Sequence, residues 1–345
     1  MSILEIAKLA GVSHATVSRV INNDPSVSPE TAIKVRSIMK KTGYVPKSPS
    51  LRRGPKRAKD TYFKTGNIAF LSSSQNLKIL THSPVMQNVV HGIEEELIAQ
   101  GMSMVQGAIN ANRPLPPIVS KGDVDGIIVW PNLDSLPDDM VETLRNRPVV
   151  YVMSAEEFRL PGDRVKNNNA AVGRLAAEYL LSRGHETIAH IIPASFANPD
   201  RMQSRWNAFS AMAERASKQA IQLKVNESEA DWLEIDPERE KLIEAKLQDL
   251  MQSSPRPTGL FTTFDALAAK IYPMLRKLGV EIGKDVEVVS CNNEISLLAG
   301  LDPRPKSIDI QPELIGKRAV EQLRWRIRNP EDTSLITVQI EPQLI

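Results

Sequence analysis

A single cysteine, Cys291, among 345 residues excludes an internal disulfide and any metal site built from several thiolates, and it fits a reducing compartment. No apolar run reaches the length that spans a bilayer, and the N-terminus carries no basic-then-apolar secretory segment. A cytoplasmic protein with no membrane partner is expected. The five histidines, His14, His82, His91, His185 and His190, lie in no metal-ligand spacing. Neither a P-loop nor a G-x-S-x-G nucleophile elbow is present. The chain is therefore read as having no catalytic constellation, no metal and no cofactor. Cys291, at the end of an apolar run, reads as a buried residue rather than a nucleophile.

What is present is ordinary for a soluble globular protein, with 41% hydrophobic and 24% charged residues and a length that suits two or three domains. The net charge of +2 is unevenly placed: residues 1–60 carry +8 and the remainder −6. A charge run alone is as compatible with a solvated surface as with a partner. A basic module ahead of a mildly acidic body also suits a nucleic-acid-binding head, because neutralising phosphates releases counterions.

Local punctuation predicts three short helices in that module. Ser2 and Glu5 form an S-x-x-E capping box for a helix burying Ile3, Ile6, Ala7 and Ala10, and Gly11 permits a tight exit. Ser13 caps the second helix, two residues on, which is the spacing of a helix-turn-helix. Ser28 and Pro29 open a third helix that buries Val35, Ile38 and Met39 and stops at Gly43. On the second helix Val17, Val20 and Ile21 make a narrow inward stripe, while His14, Ala15, Ser18, Arg19 and Asn22 share an outward polar face.

The stretches LEIAKLAGVSHATVSRVINN and VSPETAIKVRSIMKKTGYVP resemble the DNA-binding head of the lactose-repressor (LacI/GalR) family of bacterial transcription regulators. The family pattern A-x-x-A-G-V-S-x-x-T-V-S-R-V-[LIV]-N is met from Ala7 through Asn22. The resemblance implies that the second helix enters the major groove of double-stranded DNA. His14, Ala15 and Arg19 would then choose bases, Arg19 by two hydrogen bonds to guanine and Ala15 by a methyl contact. Ser13, Thr16, Ser18 and Asn22 would hold phosphates, Thr16 and Ser18 alternatively serving only to cap and solvate the helix. One head covers a half-site, so a homodimer on a near-palindromic operator is implied. The family's tetramer-forming leucine heptads would follow the last sensor strand, and SLITVQIEPQLI ends without them.

Downstream, apolar runs at 67–73, 125–131, 148–153, 187–192, 259–263 and 286–291 alternate with helical stretches, which predicts parallel sheets covered by helices. GRLAAEYLLSRGHETIAHI, SRWNAF, TTFDALAA, VEVVSCNN and SIDIQPELIGKRAVEQL resemble landmarks of the family's sensor. The expected fold is thus α/β: a three-helix helix-turn-helix head, 1–46; a basic, Pro-containing linker, 47–65; and a periplasmic-binding-protein-like pair of α/β subdomains for effector sensing and dimerisation, 66–345, with chain crossings near 165, 291 and 330.

The resemblance implies a small-molecule effector, sugar-related in most members, between the subdomains. Arg205 matches the effector-clamping arginine, or serves as a structural ion pair, and Trp232 resembles an aromatic wall. Met153 stands where an Asp is usual, Phe264 precedes Asp265 in place of a polar residue, and Asn292 and Asn293 close a strand that ordinarily ends in acid. Met153, Phe264, Asp265 and Asn292 complete the candidate cleft, although Asp265 also reads as a structural helix cap. Loss of carboxylates that grip ring hydroxyls argues against a simple hexose and for a less polar, anionic or larger ligand, or for a vestigial site.

The linker PKSPSLRRGPKRAKD departs from the family's hinge helix, because Arg53 occupies the wedge-leucine position, Leu51 lies two residues early, and Pro49 and Gly54-Pro55 interrupt a helix. Its basic core resembles an AT-hook without the arginine between Gly and Pro. Arg52, Arg53, Lys56 and Arg57 then either follow an A·T-rich minor groove or form a solvated tether. Taken together, these residues read as a sequence-specific regulator, in the first place a repressor. A cleft enzyme, a solute-binding protein on the same fold or an effector-independent regulator are the alternatives.

Overall fold

Helices α1 (Ile3–Ala10), α2 (His14–Ile21) and α3 (Pro29–Lys41) enclose a small core of Ile6, Ala7, Ala10, Val17, Val20 and Val35, with Ile38 and Met39 packed at its edge. The computed structural model describes residues 3–21, 24, 26–44, 62–73, 83–109, 114–131, 138–154, 160–193, 199–225 and 236–345, so the Ser2 half of the capping box lies outside it. Gly11 ends α1 at φ 66°, where its amide donates to Lys8 O and the Val12 amide to Ala7 O at 3.1 Å. That left-handed turn sets the angle between α1 and α2 and is one that an L side chain adopts only at a cost. Ser13 Oγ accepts from the Thr16 amide at 3.1 Å, and Ser28 Oγ caps α3 in the same way through Thr31.

The chain divides into two units, Met1–Asp60 and Thr61–Ile345. The second begins earlier than the linker expected to run to 65. The amides of Lys64, Thr65 and Gly66 all donate to the Asp125 carboxylate, at 2.8, 2.9 and 2.7 Å. No hydrophobic periodicity marks this anchor, because backbone amides rather than side chains make it.

The second unit holds two lobes. In the first, β1 (Asn67–Ser73), β2 (Ser103–Ile109), β3 (Gly126–Trp130), β4 (Val149–Val152), β5 (Asp163–Asn167) and β11 (Thr337–Ile340) form an all-parallel sheet in the order β11-β5-β4-β3-β1-β2. In the second, β6 (Thr187–Pro193), β7 (Gln219–Val225), β8 (Gly259–Thr262), β9 (Glu287–Cys291), β10 (Lys306–Asp309) and β12 (Gln343–Leu344) run β12-β10-β9-β8-β6-β7, with only β12 antiparallel. Strands β3 and β6 are buried along their whole length, as expected of central parallel strands with both faces covered. Side chains alternate between the two faces: Ile68 and Phe70 join one core, Ala69 and Leu71 another.

The helices of the first lobe are α4 (Pro84–Ala99), the single turn α5 (Pro117–Ser120) and α6 (Asp138–Arg145). Those of the second are α7 (Asn169–Ser182), α8 (Pro199–Arg215), α9 (Pro237–Gln252), α10 (Asp265–Lys277) and the single turn α11 (Ile295–Leu298). Helix α12 (Pro312–Arg328) follows β10 but packs on α4 and the first sheet. Its Arg326 grips buried Asp163 through both carboxylate oxygens, at 2.6 and 2.9 Å, and Gln322 and the Ile336 amide complete that carboxylate's shell. A buried pair satisfied in this way fixes β5, α12 and the approach to β11 together.

The chain therefore changes lobes after β5, after β10 and between β11 and β12. The first crossing follows Asn167, and the other two fall near 310 and 341, away from the positions near 291 and 330. The reason is local. The strand β10 is four residues with Lys306 and Asp309 at its ends, too short and polar to signal that the second lobe continues past Cys291. The crossings are bonded to one another: the Asn168 amide donates to Ile340 O at 2.9 Å, Asn168 Nδ2 to Glu341 Oε1 at 2.7 Å, and Gln311 Nε2 to Glu341 O at 2.6 Å.

Candidate DNA-reading helix and interlobe site

On α2 the side chains divide as their spacing requires. Val17 and Val20 are buried, whereas Ser13, His14, Ala15 and Arg19 are exposed and Thr16 and Ser18 half-buried. The two hydroxyl residues differ. Thr16 Oγ1 lies 2.9 Å from Ser13 Oγ inside the cap, while Ser18 has no hydrogen-bond partner among the described residues. The capping reading fits Thr16, and the Ser18 hydroxyl stays open. Arg19 forms no ion pair within the described residues; the nearby Asp24 carboxyl is held below its ordinary value first by Ser26 and only lastly by Arg19. Exposed and uncommitted, Arg19 has a guanidinium fork free for an external acceptor. Asn22 and the linker residues Arg52, Arg53, Lys56 and Arg57 lie outside the described residues, as does Trp232.

The carboxyl ends of the strands in the two lobes supply the second site, as is general for open α/β sheets. Arg205, on α8, is 3% exposed and donates from Nε to Asn169 Oδ1 at 3.1 Å and from Nη1 to Thr263 O at 2.7 Å. It can sit there because α7 and α8 touch through Gly173, where a Cβ would come within 1.9 Å of Arg205 O. Among the described residues no carboxylate bonds to Arg205, whose partners are the neutral Asn169 and Thr263. A buried guanidinium with neutral partners keeps an uncompensated charge. His190 registers it: burial first, then the Arg205 charge, pushes the imidazole well below its ordinary range. The ring is stacked on Phe261 with centroids 4.4 Å apart, and its Nε2 meets Thr263 Oγ1 at 2.9 Å.

Asp265 is held by bonds within the second lobe. Its carboxylate accepts from Ser290, from Ser307 Oγ at 2.9 Å and from the Glu294 amide at 2.6 Å. It is wholly buried, and burial raises its pKa against those three donors. The helix-cap position is taken by Phe264, and Asp265 bonds outward to β9, β10 and the turn after β9. Three of its acceptor positions are thus taken up inside the protein, two on Oδ1 and one on Oδ2. Phe264 packs half-buried against the second-lobe core. Met153 is buried at the end of β4 with φ 54°, and Asn292 follows β9 at φ 104°, both in the left-handed region that strand ends next to functional sites commonly adopt.

Sequence reasoning missed Glu294, Ser72 and Ser154. Glu294 is 9% exposed, and burial followed by the Asp265 charge pushes its carboxyl up to about 7, opposed by the Val85 amide in the first turn of α4 on the other lobe. The run NNE directly after β9 was its only signal. Ser72, near the end of β1, and Ser154, past β4, are buried hydroxyls with no partner among the described residues. Cys291 is fully buried and its thiol is pushed up to about 11, as suits a structural residue.

With this geometry in place, comparison with known proteins is informative. Residues 2–47 match the family described as bacterial regulatory proteins, lacI family, and residues 177–345 match the periplasmic binding protein-like domain. The chain belongs to the lacI family of regulatory proteins. Among relatives of this lacI-family chain, the ribose operon repressor of Escherichia coli K12 is 27% identical over 94% of this chain and 93% of its own length. The HTH-type transcriptional repressor PurR of Vibrio cholerae serotype O1 (strain M66-2) is 28% identical over 100% and 96%. In fold, the transcriptional regulator CelR in complex with cellobiose superposes with a TM-score of 0.62 at 22% identity, covering 100% of this chain and 98% of that one. As a lacI-family member the chain is a DNA-binding transcriptional regulator with a two-lobed sensor. No helix among the described residues is long and apolar enough to cross a membrane.

Proposed function

We propose that this regulator is a repressor that binds a near-palindromic operator as a homodimer and changes its DNA affinity when a small metabolite enters between the lobes, without turning that metabolite over. The observation that carries the reading is Arg205, a buried guanidinium whose partners among the described residues are neutral, together with the strand-end hydroxyls of Ser72 and Ser154, which have no partner among the described residues. Unsatisfied buried polar groups of this kind are resolved by a partner that supplies acceptors. Asp265 is already occupied, and Met153 and Asn292 replace acids, so the ligand is acceptor-rich or anionic rather than a neutral hexose gripped by carboxylates.

On DNA, His14, Ala15 and Arg19 read base edges while Ser13, Ser18 and Asn22 hold phosphates. The linker residues Arg52, Arg53, Lys56 and Arg57 follow the minor groove at an A·T-rich centre. Selection of bound duplexes from random DNA, followed by a metabolite screen on the recovered operator, tests both parts. A palindrome whose binding responds to an acidic or acceptor-rich metabolite is expected. A palindrome bound alike under every metabolite would leave a regulator without an effector, and no sequence preference would end the reading. Replacing the four linker residues by Ala should weaken A·T-centred operators more than G·C-centred ones.

A further inference from the structure

A cavity of about 320 Å³ opens between α7 and α8, where the chain leaves the carboxyl ends of β5 and β11 to pass between lobes. We propose that it is a second small-molecule site, for a hydroxylated organic anion, coupled to lobe movement. Its volume is at the small end of ligand pockets, which run from roughly 300 to 1,000 Å³. Its floor is made of alanines, Ala171 and Ala211 among them, so the backbones of both helices come close to any occupant. Two arginines line the cavity, Arg174 from α7 and Arg215 from the last turn of α8.

Neither cation is committed. Arg215 is exposed and has no acceptor among the described residues. Among the described residues Arg174 pairs with Glu178 alone, one turn along its own helix, with both side chains more than 40% exposed. Such a pair is worth little, and a ligand anion held between two guanidiniums displaces it. Glu341 also lines the cavity; its Oε1 takes Asn168 Nδ2 while Oε2 has no donor among the described residues. A site lined by two cations and by a carboxylate oxygen without a donor among the described residues recognises an anionic group joined to a hydroxyl. Carboxylate and phosphate ester share that chemistry.

Coupling follows from which residues form the wall. Asn168 and Glu341 belong to two of the three crossings, and Glu341 O also holds Gln311 of the remaining one. Rotation of one lobe against the other changes the distance from this wall to α8, so an occupant binds the two lobe arrangements differently. That difference is what a shift in operator affinity requires.

The full chain, with alanine methyls isotope-labelled, is titrated by NMR with gluconate, with glycerol 1-phosphate and with glycerol, in parallel with operator binding. Saturable movement of the Ala171 and Ala211 methyls by at least one anion and not by glycerol is expected. Gluconate alone would mark a carboxylate site and glycerol 1-phosphate alone a phosphate-ester site. Replacing both Arg174 and Arg215 by Ala should weaken that binding by about tenfold or more, through removal of charge-assisted hydrogen bonds. Both residues are exposed, so folding is retained. Glu341→Gln should weaken it less. Absence of methyl movement with both anions, equal movement by glycerol, or unchanged affinity in the double variant would overturn the site. Saturation without any change in operator affinity would overturn the coupling.

Discussion

Replacing Glu294 by Gln should change how the stability of the sensor depends on pH. The carboxyl is buried at the interlobe strand ends, and its pKa rises from 4.5 to about 7 on folding. The folded state therefore holds a proton that the unfolded state has already released between those two values. The contribution to stability is fully present below pH 4.5 and is lost as pH rises through about 7. At one pKa unit per 1.36 kcal/mol the whole effect is about 3 kcal/mol, of which about 2 kcal/mol falls between roughly pH 5.5 and 7.5. Gln resembles the protonated acid, so the variant lacks this loss and should exceed the parent in stability at the upper pH. His190 works in the opposite sense, since its depressed folded pKa means that stability grows as pH rises through the ordinary histidine range. The parent curve is thereby flattened, and the difference between parent and variant isolates Glu294. The assay is urea unfolding followed by tryptophan fluorescence; all four tryptophans, Trp130, Trp206, Trp232 and Trp325, lie beyond the head. Parallel curves for the two proteins across that interval would refute the argument that Glu294 is protonated in the folded state.

Three other substitutions test separate links. Arg19→Ala should relax base choice at one symmetric pair of operator positions and cost about 1 to 3 kcal/mol for each bidentate guanine interaction removed, whereas uniform weakening on every sequence would make Arg19 a phosphate anchor. Gly11→Ala meets no atom within 4 Å but forces a side chain to φ 66°, so the stability of the head, measured by circular dichroism, should fall by about 1 kcal/mol; no change would mean that the turn relaxes freely. Arg205→Met should retain operator binding without ligand and abolish the response to the effector found by screening, and a variant that responds like the parent would make Arg205 purely structural.

The head was legible because each of its determinants is local. Ser13, Ser28, Gly11 and Gly43 punctuate helices within one turn, and the stripe Val17–Val20–Ile21 follows from helical periodicity alone. The central strands were legible for a related reason: β3, β6 and β9 are buried on both faces, and continuous apolar runs report that directly. The strands β2 and β7 sit at sheet edges, where one flank is solvated, and their mixed composition carries no such signal.

What only the tertiary structure decided concerns partners distant in sequence. Asp265 within TTFDALA reads as a helix cap or a ligand contact, and its bonds to Ser290, Glu294 and Ser307 exist only because β8, β9 and β10 pair. Arg205 reads equally as clamp or ion pair until α8 crosses α7 at Gly173 and places neutral Asn169 and Thr263 around it. Glu294 carries no distinguishing neighbour in the chain, and its raised pKa arises from burial and from a carboxylate 29 positions away. The sequence determined which residues can form helices, strands and a DNA-reading face, because those preferences act over a few bonds. Which charges are neutralised, which are buried alone and where the chain changes lobes are set by desolvation and hydrogen bonding between segments that only the folded chain brings together.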